Sequence, residues 1–196
     1  MDISLTCPTS LTGLVGLTGS NDRRDDLGLY DRTEYPAEGA PMSFLHTSKC
    51  GMYFEEYKVG QRIITPGRTL TESDIVTFAG LSGDFNQIHT DAEYSKATPL
   101  GQRIAHGLLG LAITSGLMLR TGVMEGTVMA FREINAWKFI QPVFIGDTLH
   151  VEMEVVETKP LPRIGGGAVV IAMDVKNQHD ETAMKGTWTV LVTSNA

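Results

Sequence analysis

The sequence predicts an α+β domain in which an antiparallel sheet wraps around one long apolar helix. Three observations carry this. One run, Ile104 to Leu119 between Arg103 and Arg120, is apolar enough to be a buried helix and slightly short for a bilayer span. After Gly126 the pattern turns to β-branched and aromatic segments that alternate along their length. These segments are joined by short connections, which favour antiparallel neighbours, and a lone apolar helix must bury itself against such a sheet.

The elements follow in order. Residues 1–50 are rich in Gly, Ser, Thr, Pro and charge, as in Thr18–Asp26 and Tyr35–Pro41, and show no sustained period. They read as a flexible or loosely attached extension, or as a stretch upstream of an internal start at Met42 or Met52. The domain itself is expected over residues 51–196. Gln61 to Leu70 reads as extended, with a break at Pro66-Gly67. Thr71, followed three residues on by Asp74, offers a helix start. Ile75, Phe78, Ala79 and Leu81 form a helical stripe up to Gly83. A loop over 83–91 and a short helix over 92–97 lead to the apolar helix, expected from about Gly107 to Arg120. Strands are then expected over 128–143, 148–159, 164–178 and 183–193. In the second, Leu149, Val151, Met153 and Val155 alternate with His150, Glu152 and Glu154.

With 196 residues, 42% of them apolar, the chain can build a sizeable core. A formal net charge of −7 and no Lys/Arg cluster argue against a nucleic-acid partner. Ser115, Thr114 and His106 within the apolar run argue against a membrane span. Cys7 and Cys50 form no CxxC pair, so neither a disulfide framework nor a metal site is expected. No basic stretch precedes an apolar one at the N-terminus, which leaves a cytoplasmic location as the expectation.

The chemistry-bearing stretch is Leu81–Asp91 followed by Gly101–Leu109. Asp84 and His89 lie five apart in a turn entered through Gly83, and both side chains can point at one spot. A carboxylate and an imidazole sharing one water can take a proton and give one back. Asn86 between them can brace the turn. Gly107 opens the apolar helix, where N–H groups are unpaired and no side chain obstructs an approaching oxygen. It suits a carbonyl that gains negative charge. Ser115, two turns on, needs a partner in oily surroundings, either its own helix carbonyl or the loop. His106 reads as a structural cap, and His46, His150 and His179 as surface or strand residues.

The pattern Ser82-Gly83-Asp84-x-Asn86-x-x-His89-x-Asp91, then Ile104-Ala105-His106-Gly107, resembles the hydratase motif of the MaoC-like, (R)-specific enoyl-CoA hydratase family. The resemblance runs over roughly residues 54–193 and includes Phe139-x-x-Pro142-Val143-x-x-Gly146-Asp147. It implies a hot-dog fold, with Asp84 and His89 as the catalytic pair and Asn86 bracing them. It also implies that the Gly107 N–H holds a thioester carbonyl and that Ser115 supports the catalytic loop. Gln87 departs from the family, which often has proline there.

The implied reaction is reversible syn hydration of a trans-2-enoyl-CoA to a (3R)-3-hydroxyacyl-CoA. Coenzyme A enters as part of the substrate, and no metal or other cofactor is expected. Lys96, Arg103, Arg120, Arg132 and Lys138 are candidates for its phosphates. A homodimer or dimer of dimers is implied. Rival readings are a hot-dog thioesterase, disfavoured because residues 104–119 hold no Asp or Glu, a dehydratase of acyl-carrier-protein substrates, and a non-catalytic subunit.

Overall fold

The structure is a computed structural model that describes residues 51–195. Expectations for residues 1–50, including Cys7, His46 and Cys50, lie outside the described residues. The strands are β1 (Arg62–Ile64), β2 (Arg68–Thr69), β3 (Val128–Phe139), β4 (Thr148–Leu161), β5 (Gly166–Lys176) and β6 (Thr182–Thr193). The helices are α1 (Glu72–Ser82), α2 (Gln87–Thr90), α3 (Ala92–Lys96) and α4 (Gly107–Leu119). Every pairing is antiparallel, in the order β1-β4-β5-β6-β3, with β2 also on β4.

Alternation along the strands builds the core. Leu149, Val151, Met153 and Val155 of β4 are each at most 2% exposed, as the period of two requires. Trp188, Val190 and Val192 of β6 are buried with them. Leu109, Ile113, Leu117 and Met118 of α4 belong to the same cluster. Transferring a side chain of this size from water contributes about 1.5–3 kcal/mol each, so sheet and helix hold each other. This is the α+β hot-dog arrangement that the sequence predicts: a sheet wrapped over one central helix.

The expected strand neighbours need one correction. β3 precedes β4 in the chain but pairs with β6 at the far side of the sheet. The segment between β3 and β4, residues 140–147, is therefore a crossover and not a hairpin. Three strand spacings come to about 14 Å, well within the reach of eight residues. The crossover is pinned on its way, because Ala105 donates its N–H to the Val143 carbonyl at 2.8 Å and Ile104 bridges Phe144. β3 also ends at Phe139, earlier than the expected 143, and breaks register three times along β6.

Helix α1 begins as expected. The Thr71 hydroxyl accepts from the Asp74 N–H, and the Asp74 carboxylate accepts from the Thr71 N–H at 2.8 Å, which completes a capping box. Ile75 and Ala79 are buried, but Leu81 is 82% exposed and does not extend the stripe. Among the described residues no helix is long and apolar enough to cross a membrane.

Candidate functional site

The turn after α1 is held by a relay of local bonds. Gly83 ends the helix in the left-handed region, at φ 77°, and gives its N–H to the Ala79 carbonyl. The Ser82 hydroxyl accepts from the Asp84 N–H, the Asp84 Oδ1 from the Asn86 N–H, and the Asn86 Oδ1 from the Ile88 N–H, each at 3.2 Å. Asn86 thereby caps α2, a one-turn helix where the sequence suggested only loop. His89 rides on that turn. Ser95, fully buried, donates to the carbonyls of Gln87 and Ile88 and ties α2 to α3. The Ile104 N–H, donating to the Ile88 carbonyl at 3.2 Å, ties α2 to the approach of α4.

The structure brings Asp84 and His89 together. The carboxylate of Asp84 and ring nitrogens of His89 and His106 lie within 4.8 Å of one another. Asp84 is exposed and His89 half-buried. The His89 Nδ1–H donates to the Ile104 carbonyl at 2.8 Å; a carbonyl can only accept, so Nε2 is the nitrogen left free. Three such donors could in principle share a cation. Here His89 Nδ1 and His106 Nε2 already donate to the carbonyls of Ile104 and Asp84, and the two imidazoles stack with centroids 3.8 Å apart and planes at 29°. A second group of donors, His150, Glu152 and Asp180, lies on β4 and the turn before β6, and there Glu152 already accepts from Lys176 at 2.8 Å.

Gly107 is the first residue of α4, and its N–H makes no hydrogen bond among the described residues. It lines a cleft of about 490 Å³ with His106, Phe139, Ile140, Val143 and Met184. Asp84 and His89 are not among the residues that line that cleft; His106, which is, stacks on His89. The ring of Phe139 crosses over Gly107, and a Cβ there would lie 2.9 Å from Phe139 Cε1. Glycine is therefore required for this closeness.

Two expectations need correcting. Ser115 is exposed, on the outer face of α4 with Leu108, Ala112 and Leu119, and no hydrogen bond joins it to the turn of Asp84 and His89. The buried hydroxyl is that of its neighbour Thr114, which donates to the Gly110 carbonyl at 2.9 Å. Buried neighbours recur every four residues along α4 as Leu109-Gly110, Ile113-Thr114 and Leu117-Met118, and Ser115, one further step of about 100° on from Thr114, falls outside that stripe. His106 precedes α4 but makes no side-chain cap. Its ring instead packs on His89 and gives its Nε2–H to the Asp84 carbonyl at 2.9 Å. The sequence held a signal for this, since a histidine inside the longest apolar run must find a partner. Of the basic candidates, Lys96 pairs with Glu93 and Arg103 with Glu72. Arg120 reaches the Gly67 carbonyl at 3.5 Å. Arg132 and Lys138 lie exposed on β3.

The sequence model of the MaoC like domain family matches residues 55–181. The chain is 41% identical over 101 residues to Protein MaoC of Klebsiella aerogenes, matching 52% of this chain and 30% of that protein. It is 36% identical over 108 residues to an (R)-specific enoyl-CoA hydratase of Rhodospirillum rubrum, matching 55% of this chain and 72% of that one. Among solved structures, the R-hydratase PhaJ1 of Pseudomonas aeruginosa superposes with a TM-score of 0.62 at 32% identity, covering 74% of this chain and 88% of that chain.

Proposed function

This chain belongs to the MaoC-like domain family of hydratases and dehydratases, and on that premise we propose that it is an (R)-specific enoyl-CoA hydratase. The observation that carries the reading is the convergence of Asp84 and His89 beside the start of α4, where the Gly107 N–H has no acceptor. The relatives named as (R)-specific hydratases support it.

Conjugation with the thioester makes C3 of a trans-2-enoyl substrate electrophilic. In the proposed reaction, water held between the two side chains attacks C3. Asp84 takes the proton of that water and returns it to C2, while the hydroxyl bonds to C3. His89 holds the water by accepting its other O–H at Nε2, the nitrogen that the Nδ1–H bond to Ile104 leaves without a proton. Charge moves onto the thioester oxygen, where the Gly107 N–H and the N-terminal end of the α4 dipole stabilise it. Both groups lie on one turn and share one water, so in this reading water adds syn; the (3R)-3-hydroxyacyl product is proposed from the relatives named as R-hydratases. Run backwards, the same step is a dehydration.

A second copy of the chain is part of this reading. Leu108 and Leu119 of α4, Met129, Phe131, Ile134 and Phe139 of β3, and Ile140 just beyond it are all at least 38% exposed. So much exposed apolar surface marks an association face. Ser115 lies on the same side of α4 as Leu108 and Leu119, so any support it gives a catalytic turn runs through the partner copy.

The test is hydration of trans-2-enoyl-CoA thioesters of graded chain length, followed as loss of enoyl absorbance with chiral analysis of the product. A (3R) product supports the proposal. A (3S) product, or release of free thiol without loss of the double bond, overturns it.

A further inference from the structure

His106 takes no part in the mechanism above, yet it touches both halves of the proposed pair. Its side chain is 3% exposed. It donates its Nε2–H to the Asp84 carbonyl at 2.9 Å, stacks on the His89 ring at 3.8 Å, and packs tilted against Phe78 at 5.0 Å. Its Nδ1 is buried with no partner. A buried polar atom without a partner costs folding free energy, and a phenyl ring in the same place would fill the volume without that cost. What imidazole offers over phenyl here is the single N–H aimed at Asp84.

That N–H matters because the Asp84 turn is otherwise tied only to its own neighbourhood. The bonds made by residues 83–86 go to Ala79, Ser82, Ile88, His89, Thr90 and one another, all within a few residues along the chain. The bond from His106 spans 22 residues and is, among the described residues, the one hydrogen bond that residues 83–86 themselves make to the approach of α4, where Ile88 and His89 of α2 are bonded to Ile104. The stack on His89 comes from the same ring. One side chain, seated at the buried start of the central helix, therefore registers Asp84 through its main chain and His89 through its ring face.

We infer that His106 is a positioning residue for the Asp84–His89 pair. It holds the two groups in one relative placement, and it sets that placement against Gly107, the next residue in the chain. The inference rests on the hydratase reading for its consequence in rate. Its structural content, the anchoring of residues 83–86, stands apart from that reading.

Three variants separate the contributions. His106→Phe keeps a ring to stack and removes the N–H, His106→Gln keeps a donor near the place of Nε2 and removes the ring, and His106→Ala removes both. Each is checked for folding by circular dichroism and thermal melting, then assayed for kcat and KM with crotonyl-CoA. Amide hydrogen exchange over residues 83–90 is measured in parallel. For a folded His106→Phe we expect kcat to fall about tenfold or more with KM nearly unchanged, since small misplacements of reacting groups are costly. We expect His106→Gln to recover part of what His106→Ala loses, and exchange at Asp84–Asn86 to speed up in Phe and Ala variants. A folded His106→Phe with kcat within about twofold of the parent, or with the whole loss in KM, overturns the inference. If the parent chain hydrates no enoyl thioester, the function proposed above fails, and the exchange measurement alone decides. Faster exchange at Asp84–Asn86 then upholds the anchoring, and unchanged exchange refutes it. Should His106→Phe fail to fold, the comparison of His106→Gln with His106→Ala reads the same question.

Discussion

The Nδ1–H of His89 is held by the main-chain carbonyl of Ile104, 15 residues further along the chain. This bond fixes the ring's tautomer and leaves Nε2 as the nitrogen that can meet a substrate. It also joins the turn carrying the pair to the strand-like approach of α4. Proton transfer through this pair is expected to supply most of what the two residues contribute. Asp84→Asn and His89→Ala should each lower the hydration rate by at least ~100-fold, the usual scale for a general acid or base, with melting temperature little changed. Hydration by either variant near the parent rate would remove the pair from the mechanism.

Gly107 gives a second, steric prediction. A methyl group on its Cα would sit 2.9 Å from Cε1 and 3.1 Å from Cδ1 of Phe139. The atoms met are the far end of a side chain and not main chain, so the ring can give way and the fold should survive. The displaced ring and the new methyl would both crowd the approach to the Gly107 N–H. Gly107→Ala should therefore lower kcat, by up to the roughly 100- to 1000-fold that loss of an oxyanion donor costs. Combining it with Phe139→Leu should restore part of the loss if crowding is the cause. Steady-state kinetics of the single and double variants decide this.

Asp74 should make stability depend on acid. Burial pushes its carboxyl upward, but the N–H and hydroxyl of Thr71 and the guanidinium of Arg68 outweigh this and hold it below the usual carboxylate range. A carboxyl depressed on folding stabilises the native state above its unfolded value, near about 4, and that contribution is lost as pH falls through the lower folded value. Asp74→Ala should cost about 0.3–1.5 kcal/mol at neutral pH through loss of the N3 half of the capping box. The gap between parent and variant should narrow as pH falls below the usual carboxylate range. Urea unfolding at several pH values measures it, and a constant gap would exclude the linkage.

The body of the domain should act without the N-terminal segment. The first described contacts are the N–H of Gly51 on the Gly122 carbonyl at 3.1 Å and the N–H of Met52 on the Val123 carbonyl at 2.8 Å. Removing residues 1–50 leaves both bonds in place and should keep hydration within about twofold of the full chain. Removing three residues more deletes Gly51 and Met52, the latter buried, and should lower the melting temperature. A folded but inactive chain starting at residue 51 would assign the segment a part in the site.

Several features were legible because they are local. Asp84, Asn86 and His89 crowd one turn, so their spacing alone brought them together. The strand faces of β4 and β6 followed from a period of two, and α4 from an unbroken apolar run bounded by arginines. The α1 capping box was readable as Thr71 with Asp74 three residues on. α2 was not, because a single turn of four residues has too few positions to show a period.

The sequence by itself determined the α+β class, the central helix, the closely spaced pair and the family, since each depends on residues near one another in the chain. Tertiary structure alone decided three things: that β3 closes on β6, that Ser115 faces outward while Thr114 faces in, and that His106 seats itself against both members of the pair. The reason is common to all three. Periodicity and composition report whether a residue is buried, whereas its partner across the fold is chosen by how the sheet wraps the helix. That choice is made by the packing of the whole core and by no single segment of it.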